Sequence, residues 1–212
     1  MQTLPMFPLG TVLLPGGRLP LRIFEPRYVA MLEHCRSGAG DGTFGVVLIE
    51  RGSEVGGGDE RTDVGTIARI VACEEMLGNR FAVIAVGERR FRIEEWLPDD
   101  PYPRAVIRTW PDAPGDAVDW GEMEGKIAEF EVVLRAFAGK TGARVPDLRI
   151  EKLRPKNLPA EPSARSFALA GALPISDADR QRALAAPDAA ARVATLVDAL
   201  DDVIAGLRFR IT

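Results

Sequence analysis

The sequence predicts an α+β protein, in which a twisted β-sheet or small barrel precedes a bundle of helices. Up to Trp110, short apolar runs alternate with turns rich in glycine and proline. After residue 119, apolar residues recur at the three- and four-residue spacing of amphipathic helices. A Pro/Gly/Asp-rich stretch at 111–119 separates the two patterns. We therefore expect a β-rich subdomain at 1–115 and a helical subdomain at 116–212.

The opening stretch, Leu4–Tyr28, contains five prolines and three glycines between its apolar runs. Proline fixes φ and lacks a backbone donor, so this composition predicts short strands between turns rather than one helix. The stretch closes on Phe24–Tyr28, where Pro26 suits the first position of a helix extending to Cys35.

Four runs predict the remaining strands: Phe44–Ile49, Val64–Glu75, Arg80–Trp96 and Tyr102–Trp110. The glycine-rich segment Arg51–Asp63 predicts a mobile loop. In Arg80–Trp96, the even positions change from apolar to polar at Gly87, which predicts a bulge or bend there. Such a strand is expected to be buried on both sides first and then to emerge into solvent.

The second half predicts four helices separated by breaks. They are expected at Trp120–Ala138, at Ser163–Leu173, from a capping box at Ser176–Asp179 to Pro187, and from a cap at Asp188 onwards. The locally basic segment Gly139–Pro162 is predicted to be an irregular, solvated connector.

Composition and residue supply argue against several classes of function. Lys and Arg number 27 against 31 Asp and Glu, a net charge of -4, which disfavours a nucleic acid as the main partner. No window approaches the roughly 20 apolar residues of a membrane span. Two cysteines without a CxxC pair suggest a reducing cytoplasm.

No motif in the sequence predicts a catalytic, metal or cofactor site. The single histidine, His34, is followed by Cys35, and adjacent residues of a helix point to different faces. We expect Cys35 to fill the core. Gly139-Lys140-Thr141 lacks the first glycine of a phosphate-binding loop, because position 134 is Leu. We therefore predict a protein that is not an enzyme and that holds no cofactor.

The opening stretch resembles the signature of the Lon protease N-terminal domain family. Its matching parts are Leu4–Leu9 (LPMFPL), Val12–Pro15 (VLLP) and Pro20–Tyr28 (PLRIFEPRY). Further similarity is found at Val64–Ala68, Val86–Ile93, Asp179–Ala185 and Ala191–Leu196. Arg180 stands where the family has Lys, and Ala185 where it has Glu. The resemblance covers nearly the whole chain.

This resemblance implies a PUA-like β-sheet or pseudo-barrel followed by a helical bundle. It also implies a substrate-binding role towards unfolded or damaged protein. We expect a free-standing, cytoplasmic, ATP-independent polypeptide-binding module, without ATPase or protease domains, acting as an adaptor or protein-quality-control factor. Its expected partners are unfolded or exposed apolar polypeptide segments and a protease or ATPase.

Two clusters supply candidate groove residues: Phe24, Glu25, Arg27 and Tyr28 at the sheet–helix junction, and Arg89, Arg90 and Arg92 on the emerging strand. The first cluster could line a groove, although locking the sheet to the helix is the favoured interpretation. The second could bind acidic or extended peptide, with a solvated face as the default.

RNA binding is the alternative function, because PUA-like folds frequently bind RNA. It would use the same three arginines together with 140–156. The negative net charge and the lack of exposed aromatic residues among basic ones count against it.

Overall fold

The computed structural model describes residues 1–37, 41–51, 60–115, 117–142, 153 and 157–211. Two compact units are present, Met1–Pro111 and Asp112–Thr212. The first is rich in strands and the second is helical, which confirms the predicted fold class.

The described residues of the first unit form six strands and one helix. The strands are β1 (Gln2–Leu9), β2 (Arg18–Ile23), β3 (Thr43–Arg51), β4 (Glu60–Met76), β5 (Arg80–Leu97) and β6 (Arg104–Thr109), and helix α1 (Pro26–Arg36) follows β2. The strand order is β2-β5-β4-β3-β1-β6, and β6 pairs in turn with β5. This additional pairing closes the sheet into a small barrel, and β2 is left as its end strand.

The predicted loop Arg51–Asp63 needs a correction at its end. Glu60 and Arg61 pair with Arg51 and Ile49, so β4 already begins at Glu60. Backbone pairing with β3 outweighs the polar character of these residues. Residues 52–59, with the triple glycine, lie outside the described residues.

The long strand β5 joins two differently built halves of the barrel. Its first half, Phe81–Val86, pairs with β2, and its second half, Phe91–Leu97, pairs with β6. Between them, the register with β4 shifts at Thr66/Ala68, opposite Gly87. The predicted irregularity at Gly87 is thus confirmed.

Backbone contacts explain why position 87 is a glycine. Its N–H donates to the Gly17 carbonyl at 2.9 Å, and its carbonyl accepts from Gly16 N–H at 2.7 Å. A Cβ on this residue would collide with the Leu14 carbonyl oxygen. The turn before β2 can approach β5 this closely only in the absence of a side chain.

Two apolar clusters pack against opposite faces of β1 and β3. One contains buried residues of β1, β2, β3, α1 and the first half of β5, and includes Phe7 and Tyr28, whose ring centroids lie 4.2 Å apart. The other contains residues of β1, β3, β4, β6 and the second half of β5, around the fully buried Phe91. Both clusters follow the alternation of the strands.

The helical unit contains α2 (Trp120–Thr141), α3 (Pro162–Ala172), α4 (Asp177–Leu184) and α5 (Ala189–Ile211). The predicted capping box is present, since Ser176 and Asp179 each bond the backbone of the other. Asp188 also caps α5 as predicted, accepting from Ala191 N–H at 2.8 Å. Among the described helices, none combines the length and apolar character that a membrane crossing requires.

Helix α2 runs further than predicted, to Thr141, before Gly142 ends it in the left-handed region at φ 70°. The start of the expected irregular connector is therefore helical. Most of the remaining connector, including 143–152, lies outside the described residues.

A fully buried arginine holds the helical unit together. Arg192 of α5 has no exposed surface, and its guanidinium makes two bonds to Asp112, at 2.7 and 3.0 Å. It also donates to Ser166 Oγ at 2.8 Å and to the Ala183 carbonyl at 3.1 Å, and it lies 3.6 Å from the centre of the Phe167 ring. Such complete pairing offsets the cost of burying a charge.

Candidate functional site

The sheet–helix junction is mostly a structural lock. The Arg27 Nε donates to Glu25 Oε2 at 3.1 Å, and its guanidinium lies 4.5 Å from the Tyr28 ring centre. Tyr28 itself is only 4% exposed. Phe24 differs from these three, because 62% of its surface is exposed. Of this cluster, Phe24 alone presents a large apolar surface to a ligand.

The three candidate arginines of β5 have different environments. Arg90 is only 3% exposed; its Nε donates to the Trp110 carbonyl at 2.9 Å, and its guanidinium lies 4.0 Å from the Trp110 ring centre. The exposed Arg92 lies 3.7 Å from the same ring, whereas Arg89 is simply exposed. Two guanidinium groups already contact Trp110, so this cluster offers little aromatic surface for stacking a base. RNA binding stays a prediction.

The two predicted clusters do not form one groove. Phe81 of β5 pairs with Ile23 beside the junction, and Arg90 lies nine residues further along the same strand. At strand spacing this corresponds to roughly 30 Å. A binding role for Arg89, Arg90 and Arg92 therefore stays a prediction independent of the junction.

A different surface combines exposure with apolar character. On the first half of β5, residues directly opposite one another share one face of the sheet. Two such rows are Pro20–Ile84–Ala72 and Arg22–Ala82–Glu74. We call the surface formed by these rows, with Arg18 and Val86 beside them, the outer face.

A groove of about 570 Å³ lies over the outer face. Its lining comes from three neighbouring strands: Pro20–Arg22 of β2, Ala82–Ile84 of β5 and Ala72–Glu74 of β4. The described residues include seven exposed large apolar side chains, and four belong to this end of the first unit: Phe24, Val71, Met76 and Leu77. Met76 is 46% exposed and Leu77, at the hairpin tip, is 97% exposed. This concentration of uncovered apolar surface is typical of an interaction site.

The outer face corrects one expectation. The apolar even positions Ala82, Ile84 and Val86 predicted a segment buried on both sides, but all three are only half-buried. Their alternation is that of a core strand, while no described element covers them. The apolar even positions are visible in the sequence, but only the structure shows that no described element covers them.

A smaller groove of about 220 Å³ runs beside β2, on the edge that does not pair with β5. Its walls include Phe7–Leu9 of β1, together with Phe24, Glu25 and Tyr28. Pro20, Leu21 and Arg22 line both grooves. The apolar outer face and the open edge of the sheet therefore meet along β2.

The outer face carries two cations on its β2 side and a carboxylate, Glu74, on its β4 side. Arg18 and Arg22 are exposed and make no ion pair with any residue that the structure describes. On the far side of β5, by contrast, Arg69 pairs with Glu88, and this hydrogen bond raises the Arg69 pKa. The β2 side of the groove thus carries positive charge that is available to a ligand.

The cysteines give no sign of nucleophilic chemistry. Cys35 is 2% exposed, and its thiol donates to the Thr43 carbonyl at 3.3 Å, as expected for a core residue. Burial, assisted by the nearby Asp41 charge, raises the pKa of the Cys35 thiol to about 12, so the thiol is neutral at physiological pH. Within the described ranges, no three His, Cys, Asp or Glu side chains are grouped closely enough to hold a metal ion.

Comparison with known proteins relates the chain to one family. Residues 3–202 match the model of the ATP-dependent protease La (LON) substrate-binding domain. Lon protease 2 of Myxococcus xanthus is 25% identical over 202 residues, which are 94% of this chain and 24% of that protein. The chain spans about a quarter of the length of this relative and of Lon protease 2 of Sorangium cellulosum.

Solved structures show the same fold. The crystal structure of a Lon N-terminal domain protein from Xanthomonas campestris has a TM-score of 0.65 at 24% identity, covering 93% of this chain and 98% of that one. The N-terminal domain of Mycobacterium avium complex Lon protease has a TM-score of 0.59 at 21% identity, covering 95% and 99%.

Proposed function

Because the chain belongs to the ATP-dependent protease La (LON) substrate-binding domain family, we propose that it is a non-catalytic module that binds unfolded or exposed apolar segments of polypeptide. This binding takes place on the outer face. The observation that carries it is the groove of about 570 Å³ over that face, at the end of the first unit where Phe24, Met76 and Leu77 are exposed.

The composition of this surface suits ligands of many sequences. Methionine is flexible and polarizable, so Met76 can adapt to different partner side chains. The small side chains Ala72 and Ala82 leave room over the sheet. Folded proteins bury most large apolar side chains, whereas unfolded chains expose them. Apolar burial then selects unfolded clients, at about 25 cal/mol per Å² of apolar surface covered.

We further propose that binding serves to present clients to another machine, as an adaptor in protein quality control. The relatives named above are Lon proteases, and the part matched by this chain is about a quarter of their length. A module of this kind needs only moderate affinity, because it must release the client again.

The test compares client binding by two matched double variants. Phe24→Ser/Met76→Ser removes apolar surface at the end of the first unit that carries the outer face, whereas Val132→Ser/Phe209→Ser removes similarly exposed apolar surface from the helical unit. The client is fluorescently labelled, reduced and carboxymethylated lactalbumin, and native lactalbumin is the negative control. We expect the first variant to weaken binding about tenfold and the second to leave it unchanged.

Two results would contradict the proposal. One is absence of any binding to the carboxymethylated client by the wild-type chain. The other is equal loss of binding in both double variants, since the outer face would then have no special role.

A further inference from the structure

The hydrogen-bonding groups along the free edge of β2 follow from its register. In an antiparallel pair, residues that bond their partner alternate with residues whose N–H and C=O point away. Pro20 lies opposite Ile84 and has no N–H, so its carbonyl points away from β5. Gly17 directs its carbonyl towards β5, where it accepts from Gly87 N–H. Because Pro20 follows Gly17 by an odd number of residues, the alternation again directs Pro20 away from β5. Arg18, Pro20 and Arg22 therefore direct their backbone groups to the open edge.

We propose that the client binds as an added strand on this free edge of β2, and that acidic residues flanking an apolar centre make the preferred segment. This inference rests on the proposed function and specifies its ligand. Strand addition gives affinity through main-chain bonds, while side chains on alternate positions give selectivity.

The register predicts the role of each ligand position. In an antiparallel approach, we number the ligand residues p1 to p5, opposite Arg22, Leu21, Pro20, Leu19 and Arg18 in turn. Residues p1, p3 and p5 donate their N–H groups to the carbonyls of Arg22, Pro20 and Arg18. Arg22 and Arg18 return bonds to the carbonyls of p1 and p5. Of the three ligand carbonyls that face β2, only the carbonyl of p3 lacks a donor, because Pro20 has no N–H.

Charge complementarity selects the side chains at both ends of this segment. The side chains of p1 and p5 lie on the outer face, directly across from Arg22 and Arg18. Both arginines are exposed and without an ion-pair partner among the described residues. Opposite charges placed across two strands are favourable, whereas like charges in these positions repel. The structure thus favours Glu or Asp at p1 and p5.

Apolar surface selects the positions in the middle. Residue p3 lies on the outer face beside Pro20, whose row continues to Ile84 and Ala72. Residues p2 and p4 point to the opposite side, towards the groove of about 220 Å³ whose walls include Phe7 and Tyr28. Aliphatic residues such as Val and Leu satisfy all three positions.

Synthetic peptides of about nine residues, centred on Glu-Val-Leu-Val-Glu and labelled with fluorescein, test this proposal by anisotropy. One peptide is N-methylated at p3, whose N–H faces β2, and its matched control is N-methylated at p4, whose N–H points away. We expect p3 methylation to weaken binding about tenfold more than p4 methylation, because it removes a main-chain bond and inserts bulk at the edge.

Charge exchange tests the selectivity. A peptide with Lys at p1 and p5 should bind the wild type about tenfold more weakly, and it should regain affinity for the Arg18→Glu/Arg22→Glu variant. Circular dichroism of this variant checks that the fold is retained.

Equal affinities of the two methylated peptides, or no response to the charge exchange, would overturn the inference. Carboxymethylated lactalbumin is measured in parallel. If this client still binds, and binds more weakly to the Phe24→Ser/Met76→Ser variant, while the two methylated peptides have equal affinities, strand addition fails and the proposed function stands. If the client does not bind, the proposed function itself fails.

Discussion

Arginines lie on or beside both halves of β5, but their environments differ. In the half beyond Gly87, Arg90 is buried against Trp110, and Arg92 contacts the same ring. In the half before it, Arg18 and Arg22 of the neighbouring strand are exposed and unpaired among the described residues. We call these the closed half, which β6 completes, and the open half, which ends at β2.

The arginines of this unit fall into two groups: some stabilise the fold, and others are candidates for binding a ligand. Arg90 and Arg92 of the closed half already contact Trp110 within the unit. Arg18 and Arg22 have no ion-pair partner among the described residues, and they lie beside an apolar groove and an unpaired strand edge. Interactions left unmade by the folded chain are those available to a ligand.

Replacing Arg90 with Leu should give the largest loss of stability. The change removes a buried donor from the Trp110 carbonyl together with a stacking contact. We expect the free energy of unfolding to fall by about 2–4 kcal/mol. Urea denaturation followed by tryptophan fluorescence measures it. The matched change in the open half, Arg18→Leu, should stay within about 0.5 kcal/mol. Similar losses in both variants would remove the distinction between the halves.

The boundary between the halves can be strained directly by Gly87→Ala. The new Cβ would meet the Leu14 carbonyl, and such overpacking costs about 1–3 kcal/mol. Gly125→Ala in α2 is the control, because nothing lies within 4 Å of a Cβ at that position. This helical change should stabilise by about 0.5–1 kcal/mol. If Gly87→Ala melts at the wild-type temperature, the close approach of the β2 turn to β5 is not required.

Pro20→Thr should change binding more than stability. Threonine supplies the N–H that Pro20 withholds from the free edge of β2, so one more main-chain bond to the client becomes possible. We expect client affinity to rise about threefold, with added self-association, since proline on an edge strand guards against pairing. Anisotropy and sedimentation velocity measure the two effects. Unchanged affinity would indicate that clients do not pair with β2.

Ionisation of Cys35 should have the smallest effect on stability at neutral pH, because it differs between the folded and unfolded states only at alkaline pH. Its pKa is raised by burial from 9.0 to about 12, so the folded state keeps the thiol proton when the unfolded state has lost it. Stability from this residue is complete below pH 9 and is lost as the pH rises towards 12. Denaturation midpoints measured across this range should fall less steeply for Cys35→Val. An identical pH dependence in both proteins would contradict burial as the cause.

Much of the fold was predictable because local rules and tertiary structure agree. The capping residues Ser176 and Asp188 mark helix starts through their own backbone bonds. The change at Gly87 appears directly in the alternation of β5. The role of Arg192, by contrast, cannot be predicted from the sequence, because its partner Asp112 lies 80 residues away and only packing brings them together.

The candidate site was predictable only in part. Phe24 belongs to the opening signature and is exposed, but its neighbours in that signature are engaged in the sheet–helix lock. The outer face depends on which strands become neighbours and on which strand ends the sheet. Arg18, Ala72 and Ala82 are far apart in the chain, and only the pairing of β2, β5 and β4 makes them one surface.

Amide hydrogen exchange, with and without the carboxymethylated client, tests most directly whether the open half is the binding site. We predict that the amides of Arg18 and Arg22 become protected on binding by about tenfold or more, while those of Arg90 and Trp110 do not change. Protection confined to the closed half, or bound client with no protection along β2, would contradict this assignment.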